Sequence, residues 1–387
     1  MKIAGARIAL SPDQSDHRDV YIRGGRVSFS GNDSDKSLNL NGFLLLPGLI
    51  NAHDHLEFNL FPKLGSGIYP NAKAWASDIH RPLDSPVKEH LSLSKPTRLI
   101  WGGLKNLLSG VTTVAHHNPI EEFLLRPDFP VNVVREFGWA HSLDFSPDLA
   151  ERFQATPQNW PFLLHAGEGV DEHAYLEIAR LDSLGVLSRR TALVHAIGLD
   201  HPGLALVKAR ETGIVWCPSS NLAVYGRTLA PSVLTSSVNV ALGTDSAMTA
   251  QADLIDEIAV ARRASGLNSA QIYEMVTTRA ARLLRLCHGQ GEIRDGGVAD
   301  LIAVPDRGQT PADALPEMTP HLVIVSGRIR LIAPNLLDRV NHSGLLHSLR
   351  LEGRGHWLTD VDLPSLHRET ERALGAEYRL AGKRVWQ

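Results

Sequence analysis

The chain has 387 residues, too many for one small domain and suited to one large domain with a smaller companion. Its 39 Lys plus Arg nearly balance its 42 Asp plus Glu, a formal net charge of −3, which argues against a nucleic-acid or other polyanion partner. Two cysteines, Cys217 and Cys287, leave no disulfide framework and argue against a cysteine zinc site, so a metal would need His and carboxylate ligands; the 18 histidines fit that requirement. The first ten residues lack the apolar core of a signal peptide and no stretch approaches a membrane span, so a soluble, cytoplasmic protein is expected.

Residues 1–46 read as short strands and turns. A strand is predicted over 3–10, and Gly24-Gly25 between two apolar runs signals a hairpin. This segment is too small to bury a core alone. Residues 299–304 and 321–325 are again strand-like, so the simplest arrangement is a small β-sandwich made by 1–46 together with 291–334. From 47 to 290 strands alternate with amphipathic helices, the pattern of a parallel sheet with crossover helices, and the length suits a (β/α)₈ TIM-type barrel. The strand count falls one short. There is an opening strand and six clear ones, with only a cramped stretch around 137–143 for the last. An open doubly wound sheet fits the pattern too, but no Gly-rich phosphate loop follows the first strand. Residues 335–387 form an extension, with an amphipathic helix predicted over 363–374, suited to packing on the barrel or to a homodimer contact.

The chemistry begins at the opening strand, which ends in His53-Asp54-His55. Side chains two apart on a strand share a face, so both imidazoles aim at one point and Asp54 at the other face. Imidazole is the commonest ligand for zinc and also suits iron. Later strands end alike. His116 and His117 follow 110–115, His141 lies near Trp139, and His165 follows 162–164 with Glu168 three residues on. His195 follows 192–194, and Asp245 follows 240–244. Barrel enzymes place their sites at these strand ends, and a packed core does not produce one titratable residue per strand. His53, His55, His165 and Asp245 can supply three nitrogens and one oxygen to a divalent cation, leaving a position for a water whose pKa zinc lowers to about 7. Glu168 suits a general acid/base that moves that water's proton to a leaving nitrogen. His195 suits orienting the hydroxide or polarising the electrophile, and Asp245 can also accept a proton.

With PGLINAHDHLEF, GVTTVAHH, LLHAGEG, LVHAIG, WCPSSNL, ALGTDS and the late segment TTRAARLLRLCHGQGEIRDGGVADLIAV, the chain resembles the amidohydrolase superfamily over about residues 47–304. The resemblance is to its mononuclear aminohydrolase branch, which holds cytosine, guanine and S-adenosylhomocysteine or methylthioadenosine deaminases and triazine chlorohydrolases. It implies a metal-bearing (β/α)₈ barrel with a flanking β-sandwich. It implies ligation of one divalent metal by His53, His55, His165 and Asp245, with Glu168 and His195 catalytic. Zinc is the first expectation, iron and manganese the others. No strand-end lysine resembles the carbamylated bridging ligand of binuclear members, which favours one metal. The implied reaction is hydrolytic deamination of an amino-substituted heterocycle, with ammonia leaving. Its rivals are hydrolysis of a cyclic amide or imidic C–N bond, as in imidazolonepropionase, displacement of another leaving group, and a catalytically silent scaffold.

His141, His117 and Asn221 are the expected substrate contacts. Of His116 and His117, one faces the pocket and one packs outward. Ser219, Ser220 and Asn221 suit substrate contacts or plain turn chemistry. Glu57 points inward or into solvent. Trp101 is expected in the core and Cys217 as a small buried residue. The proline-bearing loop over 69–90 suits a lid, a surface loop or a dimer contact.

Overall fold

The computed structural model describes residues 1–32, 36–340 and 344–387. Eight parallel strands organise the middle of the chain: β1 (Leu49–Asp54), β2 (Val111–His116), β3 (Asn132–Val133), β4 (Gly138–Ser142), β5 (Phe162–Ala166), β6 (Thr191–His195), β7 (Gly213–Trp216) and β8 (Val240–Leu242). They pair in chain order within a three-stranded sheet, β1 to β3, and a five-stranded sheet, β4 to β8. His53 O accepts N–H bonds from Thr244 (2.9 Å) and Asp245 (3.1 Å), and Asp54 bridges Asp245 in parallel, so β1 also meets the end of β8. The cramped stretch does carry a strand: β4 pairs with β5 through a bulge between Trp139 and Ser142. The strand before it, β3, is only two residues long.

β1 and β2 are buried along their whole length, as strands covered on both faces are. The helix Lys95–Leu108 covers β1 and β2. Ser94 caps it, its Oγ accepting Thr97 N–H at 3.3 Å. Gly102 lets it sit directly on the turn after β1, where a Cβ would come within 2.2 Å of Leu56 O. Gly243 allows a similar approach before Asp245, since a Cβ there would meet His53 Cβ at 2.7 Å. Trp101 is fully buried, as expected.

The strand expected over 3–10 is two, Lys2–Ala4 and Arg7–Ala9, broken at Gly5 with φ +76°. The first enters a four-stranded sheet and the second a ten-stranded one. The Gly24-Gly25 turn has positive φ at both residues, as the tight hairpin requires. Ile3, Val20 and Leu38 of the smaller sheet share a buried cluster with Leu45, Leu301 and Ile324 of the larger.

The ten-stranded sheet runs on past residue 334. Strand Arg328–Ile332 pairs with Gly355–Thr359, which pairs with His347–Leu351, so the extension continues the ten-stranded sheet. Its helix runs Leu363–Leu374 and docks on Lys95–Leu108, Trp101 Nε1 donating to Thr370 Oγ1 at 2.8 Å. Arg354 and Lys383 reach back to buried Asp253 at 2.8 and 3.1 Å. Among the described residues, no helix is long and apolar enough to cross a membrane.

Behind β1 lies a buried ion pair. Lys105 Nζ stands 2.8 Å from Asp54 Oδ2, with the two side chains 3% and 0% exposed. Asn106 donates to the same oxygen at 2.7 Å and Asn59 to Oδ1 at 2.8 Å. Removing one member of such a pair leaves a buried charge without its counter-charge, which costs about 3 to 5 kcal/mol. Lys105→Met should therefore lower the free energy of unfolding, extrapolated from a urea titration, by an amount in that range, with loss of bound metal following as β1 loosens. An unchanged unfolding free energy would refute the anchoring role.

Candidate functional site

The residues ending the strands converge on one cavity of about 420 Å³ whose lining includes His55, His141, His165, Glu168, His195 and Asp245. A second cavity, of about 500 Å³, lies at the starts of the strands among Arg26, Arg135, Trp160 and Arg285 and holds none of these groups.

His53 and His55 project to the same side, as the strand alternation requires. Each Nε2 stands 3.6 Å from Asp245 Oδ1, and His53 Nε2 is 3.3 Å from His165 Nε2. Four ligands on bonds of about 2.0–2.1 Å in a tetrahedron stand about 3.3–3.4 Å apart. The spacing observed here fits a divalent cation held by three imidazoles and a carboxylate. Their ligand atoms and those of His195 fall into two overlapping groups, His53–His55–His165 and His53–His195–Asp245, each within 4.8 Å.

The hydrogen bonds set the tautomers. His165 Nδ1 donates to His141 O at 2.8 Å, so its Nε2 is bare. His117 Nε2 donates to Ala140 O at 3.0 Å, which leaves its Nδ1 as an acceptor. His53 Nδ1, 3.1 Å away, must then donate to it, and His53 Nε2 faces the cluster as a free lone pair. Burial, and after it the neighbouring imidazoles, hold His55, His117 and His165 well below the usual histidine pKa, so these rings are neutral at pH 7. Burial alone would raise Asp245. Its contacts with His53, His195 and His55 instead hold it well below the usual carboxylate range. Its Oδ2 also accepts Ser220 Oγ at 2.7 Å and Thr249 Oγ1 at 2.9 Å.

Glu168 behaves oppositely. Burial raises its pKa, against the lowering effects of His195 and of Tyr225, whose hydroxyl donates to Oε1 at 2.6 Å. His195 Nε2 is 3.5 Å from that oxygen, and its Nδ1 donates to Asn221 Oδ1 at 2.8 Å. His195 and Asp245 are both non-glycine residues at positive φ, +72° and +56°, conformations that turn their side chains off the strand ends.

Of the three expected substrate contacts, His117 and Asn221 are fully buried and lie outside the lining of the cavity. They stand behind it, His117 under His53 and Asn221 under His195, because each is committed to an imidazole nitrogen. His141 does line the cavity. Neither His116 nor His117 faces it: His116 turns away, its Nε2 3.6 Å from Glu57 Oε2, and Glu57 takes Asn118 Nδ2 at 2.8 Å. Burial pushes the Cys217 thiol well up, in keeping with a buried, inert side chain. The 69–90 loop contains the helix Ala72–Ile79, whose Ala72, Trp75 and Ala76 line the cavity.

Sequence reasoning missed Tyr225, Thr249, Phe58, Phe145 and Met248. Tyr225 carried a legible signal. A helix begun by Pro218 and closed by Gly226 places Asn221 and Tyr225 one turn apart on one face.

The amidohydrolase family profile matches residues 155–330. A 5-methylthioadenosine/S-adenosylhomocysteine deaminase from Haloarcula marismortui is 26% identical over 356 residues, covering 76% of this chain and 78% of that protein. A 5′-deoxyadenosine deaminase from Methanothrix thermoacetophila is 25% identical over 363 residues, covering 79% and 85%. Among solved structures, an adenosine deaminase from Xanthomonas campestris with bound zinc superposes with a TM-score of 0.71 at 19% identity, covering 96% of this chain and 97% of that one. Atrazine chlorohydrolase TrzN from Arthrobacter aurescens TC1, complexed with zinc, gives 0.73 at 16% identity, covering 96% and 99%. The fold is thus of the TIM-barrel type these structures share.

The hydrogen bond from His53 to His117 generates a test. His117→Phe keeps a ring in place but removes the acceptor that fixes His53. Metal affinity, read by chelator competition, should fall about 10- to 100-fold, with the far-ultraviolet circular dichroism unchanged. Undiminished affinity would show that His117 does not orient the ligand.

Proposed function

We propose that this chain, whose likeness to the amidohydrolase superfamily is shown by sequence and by fold, is a metal-dependent hydrolase that deaminates an amino-substituted heterocycle. It acts on carbon–nitrogen bonds other than peptide bonds. The eight strands form a closed (β/α)₈ barrel, and the two flanking sheets form a β-sandwich from both chain ends. The observation that carries the reading is the convergence of His53, His55, His165 and Asp245 beside Glu168 in one cavity. The names of the relatives, deaminases of adenosine derivatives, support the ring-amine class.

His53, His55, His165 and Asp245 would hold one ion, with zinc, which is bound in the neighbouring structures, the first choice. Such an ion lowers the pKa of a water and polarises the carbon under attack. The rest falls to the side chains. With its Nδ1–H committed to Asn221, His195 holds its Nε2 toward Glu168 and Asp245, where it orients the attacking water. Glu168, its pKa raised by burial, takes that water's proton and returns it to the departing nitrogen, which leaves as ammonia. Two carboxylates with pKa values pushed apart divide the work: depressed Asp245 keeps its charge as a ligand, and raised Glu168 moves the proton.

Purified protein should carry one metal per chain by elemental analysis and release ammonia from a ring within a panel of amino-purines, pyrimidines, pterins and triazines. Glu168→Gln should keep the metal and lose about 10²- to 10⁴-fold in kcat. Full metal with unchanged kcat would remove Glu168 from the mechanism. The bond from Tyr225 stabilises the ionised form of Glu168, so Tyr225→Phe raises its pKa further. Activity that needs ionised Glu168 is lost as pH falls through that pKa. The acid limb of kcat/KM should therefore move to higher pH in Tyr225→Phe, while the high-pH plateau is retained.

A further inference from the structure

Beyond its polar floor, the cavity is walled by Phe58, Trp75, Phe145 and Met248. Phe58 lies beside His55 with ring centroids 6.2 Å apart, and Phe145 packs edge-on against His141 at 5.0 Å. Trp75 descends from the covering helix Ala72–Ile79 with its Nε1–H given to Leu64 O at 3.4 Å, so the indole offers the cavity a ring and not a donor. Phe145 is 48% exposed at the mouth, an apolar surface left uncovered where a ligand would cover it.

Charge points the same way. Among the described residues, no Lys or Arg lines this cavity. The carboxylates of Glu168 and Asp245 do line it, and one divalent ion would only balance the two. Lys73 lines an adjoining space of about 30 Å³, where Asp144, Glu168 and Glu177 outnumber it. An anionic group on a bound molecule would lose its water here without gaining a counter-charge.

We propose that the cavity selects an uncharged substrate: a flat aminated ring carrying an apolar substituent, with the same ring bearing a carboxylate or phosphate turned away. This rests on the deaminase reading and narrows it. The ring lies over the imidazoles and Glu168, and the substituent lies along Trp75, Phe145 and Met248.

Binding and turnover test the two readings separately. Metal-loaded Glu168→Asp protein, which keeps the negative charge but withdraws the carboxylate from the reacting position, would be titrated calorimetrically with matched probes: adenosine against adenosine 5′-monophosphate, and a propyl-substituted amino-s-triazine against its carboxyethyl analogue. The neutral member of at least one pair should bind about 100-fold or more tighter than its anionic partner. In the same background, Phe145→Arg should shrink that ratio at least about tenfold by supplying the missing counter-charge. Equal or tighter binding of the anions would overturn the proposal, and so would failure of every neutral ring to bind. Ammonia release by the wild type is scored independently. Neutral rings that bind and are never deaminated would refute the deaminase reading while leaving the selectivity standing.

Discussion

One buried ion pair determines how the first strand sits. β1 is covered on both faces, so each of its side chains must find a partner or an apolar neighbour. Asp54 finds Lys105 Nζ at 2.8 Å together with the amides of Asn59 and Asn106. That arrangement exists on one side of the strand only. With Asp54 fixed there, alternation sends His53 and His55 to the cavity side. A slip of one residue would bring the carboxylate into the cluster and bury both imidazoles against the helix Lys95–Leu108. Thr244 ties the far edge to the same anchor, its Oγ1 lying 2.9 Å from Lys105 Nζ and its N–H reaching His53 O. The residue after it is Asp245. A charge pair outside the cavity thus sets the position of three of the four candidate ligands.

Three of the imidazoles share one form of buttressing, one nitrogen turned to the site and the other committed behind it, while His55 Nδ1 is buried without a partner among the described residues. His53 is committed to His117, His165 to the carbonyl of His141, and His195 to Asn221. The short helix Pro218–Tyr225 serves three residues at once, Ser220 meeting Asp245, Asn221 meeting His195 and Tyr225 meeting Glu168. Buried Glu257 accepts Ser219 N–H at 3.0 Å and holds the start of that helix. Neutral imidazoles without such partners would be free to present an N–H where a lone pair is needed.

This division explains what was legible in the sequence. A histidine at a strand end announces itself through spacing and position, so the groups facing the cavity could be read. Depth could not. His117 looks like a mouth residue in GVTTVAHH, yet its side chain runs beneath His53, and strand periodicity gives facing without giving layer. Lys105 was invisible for a different reason. A lysine in an amphipathic helix reads as a solvated face, and only the tertiary placement of Asp54 makes it a core residue. Of the flanking sheets, strands within 1–46 and 299–325 were legible, but those at His347–Leu351 and Gly355–Thr359 were not, and neither were the pairings. Leu331 pairs with Thr359 and Arg7 with Leu44, and nothing local specifies partners that far apart.

The covering segment joins selection to chemistry. Ala72 N–H donates to Glu168 O at 3.0 Å, and Val170 N–H donates to Pro70 O at 2.7 Å. Asn71 bridges Gly169, where a Cβ would come within 2.6 Å of Pro70 O, so the two backbones touch without room for a side chain. Tyr69 N–H reaches Val224 O, next to Tyr225. The segment that presents Trp75 is therefore bonded, through main-chain atoms, to the loop that carries Glu168 and to the helix whose Tyr225 hydrogen-bonds it. A displacement of the apolar wall would move Glu168 as well. On the proposed reading, recognition of the substituent and placement of the base form one mechanical unit, so that a molecule failing to seat against Trp75 and Phe145 would also fail to meet a correctly placed Glu168.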